Sequence, residues 1–119
     1  MATFTKTVLS GSTDGKGIKV VQTATAGTTI HTGSTTVATL HEVWLYAVNS
    51  TTSDVKLTIE WGEATAPDGN IEYTVKAENG LYLIVPGLIL KGNATALVVK
   101  AFAGTANVIV IHGYVNVIA

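Results

Sequence analysis

The chain has no cysteine and no arginine, only two prolines, and just 13% charged residues among its 119. Without cysteine it can form neither a disulfide framework nor a thiolate metal site, and a cysteine nucleophile is excluded. Without arginine, and with seven lysines scattered from Lys6 to Lys100 around a net charge of −1, it lacks clustered cations to hold phosphates and read bases. Nucleic acid is therefore not an expected partner. Long apolar runs are missing too. Leu81–Leu90 is broken by Pro86-Gly87 and falls short of the about 20 residues a spanning helix needs, so no membrane is expected. Residues 1–11 carry no secretory-type apolar core, so synthesis in a cytoplasm is expected. No segment spaces apolar residues at three and four, so no amphipathic helix is predicted.

What is present is Thr, Val, Ile and Gly, with 47% apolar residues. So apolar a chain with so few charges has surplus apolar surface to hide, which points to an oligomer or a docked protein. Its length suits one domain spanning residues 1–119.

The stretch "LSGSTDGKGIKV" (9–20) is rich in glycine and poses a choice between a phosphate cradle and a turn. A phosphate loop needs G-x-x-x-x-G-K-[ST] followed by a helix. Here Gly11 and Gly15 are one residue too close, Gly17 stands where the hydroxyl belongs, and Ile18–Thr23 is a β-branched run. The turn has positive support: Asp14-Gly15 suits the positive φ angles of a tight hairpin turn. Phe4–Leu9 and Ile18–Thr23 are accordingly predicted to pair as antiparallel strands.

Apolar residues alternate elsewhere. Val55, Leu57, Ile59 and Trp61 share one face of a strand and Asp54, Lys56, Thr58 and Glu60 the other; Ile71, Tyr73 and Val75 alternate with Glu72, Thr74 and Lys76. Each pattern predicts a strand with one buried and one wet face. Three stretches are instead apolar on both faces: "EVWLYAVN" (42–49), "GLYLIVPGLIL" (80–90) and "ANVIVIHGYVNVI" (106–118). A sandwich strand needs one apolar face, so the second must be covered. Turn signals such as Asn49–Ser53, Ala66–Asn70, Asn79-Gly80 and Gly104-Thr105 recur at sandwich spacing. Residues 24–39 are expected to be a long, partly strand-forming connection. The prediction is an all-β antiparallel sandwich of about eight strands.

Chemistry-bearing residues are sparse. His31, His41 and His112 have no metal-motif spacing, and each is expected to be structural; three copies of one histidine meeting on a threefold axis is the remaining route to a metal. Glu60, Glu63, Asp54 and Glu72 are the carboxylates from which a glycosidase pair would be drawn, but Glu60 and Glu72 occupy positions expected to be solvated. No G-x-S-x-G elbow occurs. No catalytic, cofactor-binding or metal-binding residue is assigned. Among the aromatics Trp44, Tyr46, Trp61, Tyr73 and Tyr82, a sugar-stacking platform is one reading. Trp61 shares the face of Ile59 and is expected in the core. The size of a sandwich core favours Val43, Leu45 and Ala47 inside, leaving Trp44, Tyr46 and Val48 as candidate interface residues.

From about residue 40, "LHEVWLYAVNSTTSDVKLTIEWG", "ENGLYLIVPGLIL" and "ALVVKAFAGTANVIVIHGYV" resemble small β-sandwich virion proteins of tailed bacteriophages. The resemblance implies a jelly-roll-like sandwich without enzymatic activity that decorates or cements the capsid surface after synthesis in the host cytoplasm. Its implied partners are the major capsid protein or another virion protein, and copies of itself, with a trimer favoured. A carbohydrate-binding or tail- or fibre-associated sandwich module is the alternative.

Overall fold

The computed structural model describes residues 2–119. Nine strands run β1 (Phe4–Val8), β2 (Ile18–Lys19), β3 (Thr28–Thr32), β4 (Leu40–Asn49), β5 (Val55–Trp61), β6 (Asn70–Val75), β7 (Tyr82–Lys91), β8 (Val98–Ala103) and β9 (Ile109–Ile118). One sheet has the order β1-β9-β4-β7, with β2 also on β9; the other is β3-β8-β5-β6. Every pairing is antiparallel. With β1 and β2 taken as halves of one strand, the hairpin-like partners are β1/β2 with β9, β3 with β8, β4 with β7, and β5 with β6. The chain is thus one long hairpin, closed between β5 and β6 and rolled into two sheets, which is the jelly-roll topology.

Alternation in the strands builds the core between the sheets. Val43, Leu45 and Ala47 of β4 meet Leu57, Ile59, Val99 and Ala101 of the opposite sheet, all fully buried, with Ile109, Ile111 and Val115 of β9 beside them. These side chains are small or aliphatic, as a sheet separation of about 10 Å requires. Trp61 packs against this cluster, on the side the alternation predicts.

The hairpin expected around Asp14-Gly15 is not formed as predicted. Both residues do have positive φ, 55° and 83°, so the turn chemistry holds. The flanking strands, however, lie end to end along β9: Phe4–Val8 pairs with Tyr114–Ile118, and Ile18–Lys19 with Val110–Ile111. Ser10 and Gly11 leave the strand path between them and dock on β3. Gly11 N–H donates to Ile30 O at 2.9 Å, and Thr32 N–H to Ser10 Oγ at 2.7 Å. A Cβ at Gly11 would stand 2.6 Å from two β3 carbonyl oxygens, so only glycine allows this approach. The long, uninterrupted β9 offers each short strand a fuller hydrogen-bonding partner than the other could.

The connection expected over 24–39 contains β3. The loop before it folds over the outer face of the second sheet and corrects a further expectation. Thr58 and Glu60 lie on the polar face as predicted, yet both are buried. Gly27 N–H donates to Glu60 Oε1 at 2.7 Å, and the Thr25 hydroxyl donates to Oε2. Both carboxyl oxygens of this buried side chain thereby have a hydrogen-bond partner, as burial of a polar group demands.

Candidate interaction surface

The three strands that read as apolar on both faces, β4, β7 and β9, are consecutive neighbours in one sheet. Directly paired residues of antiparallel strands share a face, so their second faces merge. Register places Val8, Tyr114, Trp44 and Pro86 in one row across the outer face. The next row is Lys6, Asn116, Glu42 and Ile89, and the one beyond is Phe4, Ile118, Leu40 and Lys91. On the other side of the aromatic row lie His112, Tyr46 and Leu83, then Val110 and Val48. Among the described residues, the β1–β2 connection covers one end of this surface, with Gly17 against Val110 and His112. Phe4 is 72% exposed, and Val8, Leu83 and Ile89 on the outer strands are exposed as well, while Trp44, Tyr46 and Tyr114 between them are half-buried. Three ten-residue strands about 33 Å long and the five-residue β1 about 17 Å long, spaced about 4.8 Å apart, give it a flat area of ~560 Å². That is at the upper end of the apolar patches monomers usually tolerate, about 300–600 Å².

Trp44, Tyr46 and Val48 therefore point away from the core, and Val43, Leu45 and Ala47 into it, as side-chain size predicts. The aromatic row is rigidly packed. The Trp44 and Tyr114 rings lie 10° from parallel with centroids 5.9 Å apart, and Lys6 Nζ sits 5.0 Å from the Tyr114 centroid. On its other side Trp44 lies against Gly87, where a Cβ would come within 2.8 Å of the indole. Gly87 has φ of 75° and is skipped in the β4–β7 register, as is Ile84. These bulges let the edge strand carry Pro86, which has no N–H to donate, and they blunt the edge against pairing with another strand.

Glu42 is the one carboxylate on the three rows. Its Oε1 accepts from Trp44 Nε1 at 2.8 Å and from Asn116 Nδ2 at 2.7 Å. These two bonds hold its carboxyl below the usual glutamate range. The ion pairs of the structure lie elsewhere, Lys56–Glu72 at 3.0 Å and Lys76–Asp54 at 3.3 Å. Among the described residues, Glu42 and Lys6 thus have no ion-pair partner.

The other sequence-nominated groups do not assemble into a reactive centre. Glu60 and Glu63 line a shallow pocket of about 310 Å³ with Lys100 and Asn93. Glu60 is committed to the loop donors described above, while Asp54 and Glu72 are tied to lysines. Tyr73 and Tyr82 stack on each other, 4.8 Å apart and 15° from parallel, at the β6–β7 side. Among the described residues, no three His, Asp or Glu side chains converge as metal ligands.

Two histidines meet in a way their sequence spacing does not reveal. His31 on β3 and His41 on β4 belong to opposite sheets, and His31 Nε2 lies 2.8 Å from His41 Nδ1. Ser10 N–H donates to His31 Nδ1 at 3.0 Å. His31 Nδ1 is therefore unprotonated, its proton sits on Nε2, and that N–H donates to His41 Nδ1. Burial, then the neighbouring His41, lowers the His31 pKa to about 4, and burial lowers that of His41. The pair is a neutral bridge between sheets.

Comparison of the chain with protein-family models, curated proteins and solved structures finds no match.

Proposed function

We propose that this is a non-enzymatic structural protein that acts by assembly, and that its setting is a phage virion. There it serves as a capsid decoration or cement protein, seated as an oligomer on the shell built by the major capsid protein. The observation that carries the proposal is the mainly apolar outer face formed by β9, β4 and β7, interrupted by Asn116, Glu42, Lys91 and His112. Such a face destabilises a free monomer in water through its exposed apolar area and is stabilised when covered. The virion setting is supplied by the sequence resemblance, and a jelly roll is a common architecture of viral capsid domains, which is an analogy of fold. The alternative, a carbohydrate-binding module, is less well supported. Sugar stacking needs an open ring face, whereas Trp44 is packed between Gly87 and Tyr114.

Mixing the purified protein with shells assembled from the major capsid protein of the same genome tests the proposal. Saturable co-sedimentation at a fixed ratio to capsid subunits is the expected result. No association with shells, together with Trp44-dependent binding on a glycan array, refutes it.

A further inference from the structure

Resting on the assembly proposal, we propose that the outer face of the β1-β9-β4-β7 sheet is covered by a second copy of the same chain, packed face to face about a twofold axis along β9. The argument is the arrangement of charge. A twofold axis lying in the face along β9 sets β9 on its own copy, β1 on the partner's β4, and β4 on the partner's β1. Rows are preserved by this operation. Each row then brings complementary groups together: Phe4 opposite Leu40, Lys6 opposite Glu42, and Val8 opposite Trp44. The sole acid of these rows meets a lysine that has no carboxylate partner among the described residues of its own chain. On the axis Asn116 meets itself, and an amide both donates and accepts, so self-pairing satisfies it.

The parallel axis along β4 fails the same comparison. It sets Glu42 against Glu42 in an apolar interface, where two like charges repel and lose their water. An isologous interface must be self-complementary, and of the outer-face lysines Lys6, Lys19 and Lys91 only Lys6 shares the row of Glu42. The paired region is small: β9 overlaps its copy along ten residues and β1 overlaps the partner's β4 along five on each side, ~320 Å² in flat projection. This is below the about 600 Å² per partner at the low end of standard interfaces, so the dimer forms in the micromolar range and not below it. Lys91 of β7 overhangs the paired region.

Sedimentation equilibrium of the full-length chain over micromolar concentrations tests this. The wild type sediments as a dimer. Lys6→Glu and Glu42→Lys each raise the dimer dissociation constant at least tenfold, and the double exchange recovers most of the loss. Glu42→Lys also removes the bonds to Trp44 and Asn116, so Phe4→Asp provides a second probe at a site whose exposure makes misfolding no explanation. It too yields monomer with an unchanged circular dichroism spectrum. Lys91→Glu leaves the dimer intact. A wild-type monomer at every concentration overturns the proposal, as does a dimer indifferent to Lys6→Glu and Phe4→Asp, or failure of the double exchange to restore association. A monomer that still co-sediments with capsid shells overturns the self-pairing alone and leaves the assembly function standing.

Discussion

Acidification should loosen the sandwich, because the His31–His41 bridge works only while both rings are neutral. A proton on His31 Nδ1 turns an acceptor into a donor facing Ser10 N–H, and one on His41 Nδ1 faces the His31 Nε2–H. The groups paired beside them are Val99 next to His31, and Leu90 and Val117 next to His41, so no anion offsets the new charge. His31 binds its proton at about pH 4 when folded against 6.5 as its ordinary value. Between those limits the unfolded chain takes up the proton and the folded chain does not. Stability is therefore complete above pH 6.5 and is lost as pH falls toward 4. At 1.36 kcal/mol per tenfold change, the loss from pH 7 to pH 5 has a ceiling of about 2 kcal/mol. Solvent at the ring edge screens part of it, leaving about 1–2 kcal/mol. At about 3–5 °C per kcal/mol for a domain of this size, Tm falls by roughly 3–10 °C. Urea titrations at half-unit pH steps, with His31→Gln as the non-titrating control, measure the slope. The variant is less stable at pH 7 but much flatter from pH 7 to 5. An equal slope in both proteins refutes the bridge as its source.

Two further predictions concern packing. Leu45→Ala removes a fully buried side chain and should cost about 2–5 kcal/mol in urea unfolding, whereas Tyr46→Ala on the outer face should cost less than about 1 kcal/mol. The reverse order would mean that β4 faces the other way. Gly11→Ala forces a methyl against the β3 carbonyls and should cost about 1–3 kcal/mol by overpacking.

Period-two alternation sufficed to place β5 and β6 as strands and to pick their core faces, because side chains repeat every second residue. The inside of β4 was legible too, since aliphatic side chains fit a thin core better than Trp44 and Tyr46. The Asp14-Gly15 turn was legible as local chemistry, but its strands' partners were not: hydrogen-bond pairing compares alternatives across the whole chain, and β9 lies about a hundred residues away from β1 on any count of loop closure. The solvated reading of Glu60 failed for a related reason. Alternation assigns a face but not what lies over it, and Thr25 and Gly27 reach that face only through the path of a distant loop. His31 and His41 carry no spacing signal because their contact crosses between sheets.

The sequence by itself determined that β4, β7 and β9 each have an apolar second face, since composition at alternate positions is a property of one strand. Only the tertiary structure decided that the three lie side by side, with Lys6 and Glu42 on the same row two strands apart. Strand order follows from how the long hairpin rolls, which depends on burial summed over both sheets, and no local pattern encodes that sum.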